Sequence, residues 1–332
     1  MKIASYIGLV VGLAVMTALI AWQGAGDILA LLASTGWALL LVPLIWVPSA
    51  LMNARCWQML FQPGFGPTFR QAFMAQWMGR AVNTLLPVAS IGGEVVKARV
   101  LVLWGLKADH AGASAVVDKT IQALTIVVWG ALGCVLLSIL ALDDTLAMSV
   151  LAGGALVGAG IAGFVIAQHA GMFGFMAKSA HKVTGVEFFG GLVDAASGLD
   201  QRVRELYRLK GRVAMATTWR LVALVSQTGE VWLAAYLLGF PISIVEALLL
   251  KSLSSTLSDF AFFVPNSYGV QEGAFVVLGG LVGISPEVAL AISLAIRIRE
   301  LIIDVLGLAL WQHAEGRAFF RRRATAAEER AD

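Results

Sequence analysis

Apolar residues come in long blocks separated by short polar punctuation, and the blocks set the expected elements. The segments from about Ile3 to Trp22, Trp37 to Met52, Ala113 to Leu140, Leu146 to Ala167, Val213 to Leu238 and Glu287 to Trp311 each read as a helix crossing a bilayer. Runs of about 18 or more mainly apolar residues are long enough to span a hydrocarbon core of about 30 Å. Two further blocks are broken. Phe69 to Leu86 stops at Pro87 and a Gly92-Gly93 pair before resuming from Val95 to Trp104, and Ile244 to Val264 stops at Pro265 before resuming from Ala274 to Val282.

Charge placement orients these blocks, because Lys and Arg near helix ends favour the cytoplasmic side. Lys2 and Arg55 then lie inside, and the loop from Gly24 to Thr35, which holds Asp27 and no basic residue, lies outside. Lys97, Arg99 and Lys107 on the returning arm of the first broken block make it a hairpin dipping from the inside, since irregular backbone at membrane depth is tolerated where protein or a wet cavity surrounds it. The Asp143-Asp144 connection is external, whereas Gln168 to Arg212, with Lys178, Lys182, Arg202, Arg204, Arg208 and Lys210, is a cytoplasmic segment of surface helices. The second broken block then dips from outside, and Arg317 and Arg321 to Arg323 return to the cytoplasm.

Two broken segments entering from opposite faces make an inverted-topology repeat, in which a site sits near the midplane. Pro87 precedes Glu94 by the same interval as Pro265 precedes Glu272, each break contains glycine (Gly92, Gly93 and Gly269), and each is followed at a similar distance by clustered charges, Asp118-Lys119 and Arg297 to Glu300. The expected architecture is all-α: a polytopic integral membrane protein with about six spanning helices plus two re-entrant broken-helix hairpins. Residues 1–332 form a single transmembrane domain, divided into a first half 1–167, an amphipathic cytoplasmic linker 168–212, a second half 213–311 and a basic tail 312–332. Both termini are cytoplasmic.

Composition agrees: 59% hydrophobic and 14% charged residues suit few soluble folds. The N-terminal stretch Lys2 to Trp22 starts like a signal peptide, but its apolar run exceeds a typical h-region without a convincing cleavage site, so it reads as an uncleaved helix. Cys56 and Cys134 lie far from CxxC or His clusters and read as packing residues. No GxxxxGK[ST] loop and no HExxH spacing occurs, so neither nucleotide hydrolysis nor a zinc site is expected, and no cofactor or nucleic-acid partner is implied. The Gly8 to Gly12 and Gly154 to Gly158 spacings read as close helix contacts.

A charge at membrane depth costs a few kcal/mol or more on insertion scales, so such residues face a partner or a wet cavity. Glu94 and Glu272 stand where helices restart; each either caps freed N–H groups or contacts a substrate or coupling cation. Arg297 and Glu300 share a helix face and either pair internally or leave Arg297, with Arg299, to offer bidentate donors to a phosphate. Lys119, beside Asp118, either snorkels to the surface or serves the site. Arg80, Asn83 and Lys97 on the first hairpin, with Lys251, Asp259, Asn266 and Gln271 on the second, give a midplane cavity a polar lining. Asn83 and Asn266 have the simpler alternative of satisfying backbone groups freed by the prolines.

The run Asn83-Thr-Leu-Leu-Pro87-Val-Ala-Ser-Ile-Gly92-Gly93-Glu94-Val-Val-Lys97-Ala-Arg99, with Pro265-Asn266-Ser-Tyr-Gly269-Val-Gln271-Glu272-Gly273 and Arg297-Ile-Arg299-Glu300, resembles the lysylphosphatidylglycerol-synthase transmembrane-region, or flippase-like, family. Within it the chain is similar to the hopanoid-biosynthesis-associated membrane proteins. The resemblance implies translocation of a lipid, a hopanoid or an anionic or amino-modified phospholipid, between leaflets of the bacterial inner membrane, with lipid-biosynthetic or export proteins as partners. It implies no aminoacylation, because the family's transferase is a separate soluble domain. One departure is Ala81 after Arg80, where the family pattern leads us to expect an acid. Two other classes compete: a membrane-embedded lipid-modifying enzyme with Glu94 or Glu272 as general base, and a scaffold recruiting enzymes through Lys178 to Arg212.

Overall fold

A computed structural model of the chain describes residues 2–62, 64–86, 92–140, 144–170, 188–261 and 264–328. Every regular element among them is helical. The first half holds α1 (Lys2–Trp22), α2 (Ala25–Thr35), α3 (Leu41–Met59), α4 (Phe69–Leu85), α5 (Gly92–Leu103), α6 (Ala108–Ile139) and α7 (Asp144–His169). After these come α8 (Phe188–Arg208), α9 (Lys210–Ser226), α10 (Thr228–Leu237), α11 (Ile244–Phe260), α12 (Val270–Leu281) and α13 (Pro286–Glu328).

Local chemistry sets several of these boundaries. α4 starts at Thr68, whose hydroxyl accepts the Gln71 N–H while the Gln71 side chain accepts from the Thr68 N–H, a reciprocal cap. Ser243 and Glu246 cap α11 in the same way, which gives Glu246 a local structural role. The segment Gly24 to Thr35, expected as a loop, is instead mostly helix α2. Its Ala and Leu content favours helix, and Gly24 (φ 89°) and Gly36 (φ 55°) supply the left-handed turns that bracket it. The block from Val213 to Leu238 is two helices meeting at Gln227, and α13 continues beyond Trp311 through a tail rich in helix formers.

Length and apolarity together single out two stretches among the described residues, Ala25–Met59 and Ala108–Ile139. Helices α9 to α11 and α13 are shorter in apolar run because they carry Arg220, Glu230, Lys251 and the charges from Arg297 to Asp304. Their apolar surface nevertheless points outward: Val222, Val225, Leu301, Val305 and Leu306 are all exposed.

The two broken blocks organise the packing. α4 packs on α5 and α5 on α6; α11 packs on α12 and α12 on α13. Each long helix also packs on the first arm of the other pair, α6 on α11 and α13 on α4. Small residues make these approaches possible. A methyl group at Gly79 would press on the Gly93 carbonyl oxygen, and one at Gly93 on the Gly79 carbonyl oxygen and the Asn83 side chain. Gly130 and Gly133 leave the same room on α6 for Thr256 and Ser252 of α11. Gly12, read as a close contact, meets the Tyr268 carbonyl at the second break.

Two apolar clusters result. One gathers Ile28, Leu32, Cys134, Leu250, Phe275 and Ile292; the other gathers Cys56, Trp57, Met78, Val100, Val117 and Val203. Both cysteines are therefore buried packing residues, and Val203 and Leu206 show how α8 lays its apolar face on α6.

Candidate functional site

Where the helical pairs meet, the interior is polar. A cavity of about 590 Å³ opens there, within the range of about 300–1,000 Å³ that small-molecule sites occupy. Of the residues singled out from the sequence, Arg80, Asn83, Glu94, Lys97, Lys119, Asn266, Gln271 and Glu300 line it, as do Lys251 and Asp259. Asp118, Glu272, Arg297 and Arg299 do not. They sit behind the wall and hold the lining residues in place. Part of the rim is apolar and faces outward, with Val47 41% and Leu306 56% exposed.

The second break shows why its residues are of these types. After Val264 the chain makes a short 3-10 turn, Pro265–Ser267, with Asn266 at φ 49° and Ser267 at φ 50°, a region that β-carbon-bearing residues other than Asn and Asp rarely occupy. Gly269 follows at φ 78° and its N–H donates to Glu272 Oε2 at 2.7 Å, so Glu272 caps the restarted helix. The same carboxylate accepts from Arg297 Nε at 2.8 Å. Arg297 Nη1 donates to the Asn266 carbonyl and to Glu300 Oε2, both at 3.0 Å, and its guanidinium lies over the Tyr268 ring at 4.8 Å. Capping and internal pairing thus coincide in one ion network.

The first break repeats part of this logic. Residues 87–91, including Pro87, lie outside the described residues, but Gly92 and Gly93 open α5, and the Gly93 N–H donates to Asn83 Oδ1 at 2.7 Å. Asn83 therefore satisfies freed backbone. Glu94 is 2.5 Å from Lys97 Nζ and 3.9 Å from Lys119 Nζ. Lys97 Nζ also donates to Asp118 Oδ2 at 2.5 Å, and Arg220 binds the other oxygen of that fully buried carboxylate.

Arg220, Glu230 and Asp304 belong to the site, although the hairpin pattern did not mark them. Glu230, fully buried, takes Arg299 Nε at 3.1 Å and Lys251 Nζ at 3.3 Å. Asp304, also fully buried, lies 3.4 Å from Arg80 Nη2, which is 3.8 Å from Glu300. Arg80 thus finds on α13 the acid that Ala81 does not supply. Arg80 and Arg299 stand over the Trp46 ring at 4.1 and 5.3 Å, adding cation–π attraction. The sequence signal for all three was a charge within an apolar run.

The lining charges, with every charge reached from them through one or more ion pairs, number seven cations and seven anions among the described residues. A buried ion without its counter-ion costs several kcal/mol, so pairing of this density is what permits so many charges among apolar helices. Only Lys119 and Asp259 stand apart. Lys119 is 42% exposed, Asp259 opens on the cavity, and Asp259 has neither a hydrogen bond nor an ion pair among the described residues.

A helical bundle with outward apolar faces and a charge-lined interior defines the class, an all-α membrane protein. The chain belongs to a particular family within it: residues 9–307 match the lysylphosphatidylglycerol synthase transmembrane region. The family ties the chain to membrane-lipid function. Neither a curated protein nor a solved structure matches the chain.

Proposed function

We propose that the protein moves a lipid between leaflets, sheltering the headgroup in the polar cavity while the tails stay in the surrounding bilayer. One observation carries this reading: the cavity joins a charged floor to an outward apolar rim at Val47 and Leu306. An amphipathic molecule suits both surfaces at once. We further infer that the two helical pairs, α4 with α5 and α11 with α12, are re-entrant hairpins of an inverted repeat, since each docks its first arm on the other half's long helix. In this reading about six helices span the inner membrane of a bacterium and both termini are cytoplasmic.

Headgroup contact falls to Arg80, Lys97 and Lys119, which line the cavity, rather than to Arg297 and Arg299, which lie behind its wall in ion pairs with Glu272, Glu300 and Glu230. Transport is preferred to catalysis because Glu272, a candidate base, already holds Arg297 and the Gly269 N–H, and Glu94 is paired with Lys97. The cargo is a hopanoid or a phospholipid, and membrane lipids are the first partners.

Purified protein in vesicles tests the proposal. Acyl-labelled phospholipid and hopanoid analogues are followed between leaflets with and without a proton gradient. Flipping by the protein alone supports transport; a modified lipid product points to an enzyme, and neither result points to a scaffold for lipid-biosynthetic proteins.

A further inference from the structure

Lys119 and Asp259 are opposite charges on the wall of one cavity, and they do not meet. Lys119, on α6, reaches Glu94 only at 3.9 Å. Asp259, near the end of α11, feels the charges of Lys119 and Lys251 without an ion pair to either among the described residues, and Lys251 is committed to Glu230 at 3.3 Å. Every other lining cation is held more closely by a carboxylate: Lys97 at 2.5 Å, Arg80 at 3.4 Å, and Arg220 on Asp118. In so densely paired a set, the two loosely engaged ions mark where a ligand supplies the missing partners.

We propose that Lys119 and Asp259 form a split site for a zwitterionic headgroup, Lys119 taking the phosphate and Asp259 the primary ammonium. This rests on the lipid-transport reading and narrows it to a substrate class. Two independent features favour a zwitterion. A primary ammonium donates hydrogen bonds to the unused carboxylate oxygens of Asp259, which a quaternary ammonium cannot do. The charges on the cavity wall and those reached from them through ion pairs also balance, seven cations against seven anions once Asp259, unpaired among the described residues, is counted, so a headgroup of zero net charge keeps that balance whereas an anionic one does not.

The test uses the full chain in vesicles with acyl-labelled phospholipids carrying ethanolamine, choline or glycerol headgroups. Ethanolamine lipid is expected to flip fastest, and Asp259→Asn to slow it about tenfold or more while glycerol lipid changes by less than about twofold, the scale set by one charge-assisted hydrogen bond. Asp259→Glu should restore part of the preference. Equal rates for the three headgroups, or an Asp259→Asn protein with its preference intact, overturns the zwitterion site and leaves transport standing. No flipping of any of them overturns the zwitterion site, and the transport reading falls with it if the hopanoid analogue is not moved either. Should Asp259→Asn not fold, the wild-type chain in detergent is melted with short-chain ethanolamine or glycerol phospholipid. Stabilisation by the first and its loss in Lys119→Gln support the site; equal stabilisation by both lipids rejects it.

Discussion

Arg80 on α4 and Asp304 on α13 stand 3.4 Å apart, joining the first broken block of the chain to its last helix. Asp304 is fully buried, and its removal leaves Arg80 with Glu300 at 3.8 Å. Asp304→Asn should lower stability by about 2 kcal/mol, the worth of a charge-assisted contact. Pairing it with Arg80→Gln should recover part of that loss, and thermal unfolding of the four proteins of the cycle in detergent gives the coupling.

Asp118 carries a larger share. Lys97 and Arg220 both depend on its carboxylate, and all three residues are buried. Asp118→Asn leaves two cations short of one anion and should cost about 3–5 kcal/mol. Arg220→Leu in the same chain should cost less than Asp118→Asn alone, because it removes a charge instead of stranding one.

The cavity and its supporting shell separate by their effects on transport. Arg299→Gln disturbs an ion locked to Glu230 and should lower melting temperature and flipping together. Lys119→Gln touches a half-exposed side chain and should slow flipping by about tenfold with the melting temperature nearly unchanged. A leaflet-sided assay beside a melting curve reads both.

Gly93→Ala places a methyl against the Gly79 carbonyl and the Asn83 amide, and should destabilise by about 1–3 kcal/mol. Gly316→Ala, inside α13 with nothing near the added carbon, should instead stabilise by about 0.5–1 kcal/mol. The pair of variants isolates packing from backbone entropy.

On α8, a hydrogen bond from Arg202 Nη1 at 2.8 Å, supported by Gln201 and Gln62 at 3.0 Å, holds the Glu205 carboxyl below the usual carboxylate range. A depressed carboxylate contributes stability above its unfolded pKa of about 4.3, and that contribution fades as pH falls through the lower folded value. Both side chains are partly exposed, so Arg202→Ala should cost under about 1 kcal/mol at neutral pH. Melting curves of the two proteins should converge as pH is lowered beyond the carboxylate range.

The broken blocks were legible because their signals are local. Pro265 and Gly269 announce the turn, and Glu272 follows at the spacing of a cap. The pairing of Arg297 with Glu300 was readable for the same reason, lying one helical turn apart. Partners distant in sequence were not. Glu230 meets Arg299, and Arg220 meets Asp118, only because α10 packs on α13 and α9 on α6, and no periodicity encodes those contacts. Arg220, Glu230 and Asp304 lie away from the breaks, each a single charge in an apolar run with no local motif around it. α2 was hidden differently, since Gly24 and Gly36 are turn residues and the helix they bracket is short.

Gly79 and Gly93 let the backbones of α4 and α5 touch at one point, and Met78 and Val82 pack with Val96 and Val100 beside it. A pair so closely packed would move as one wedge. The seam with α13 is held by Trp77, whose indole donates to the Ile303 carbonyl at 2.9 Å and rests over Gly307. If the protein moves a lipid as proposed, rocking of this wedge would turn about the indole, giving a tryptophan outside the charge network a say in the rate of passage.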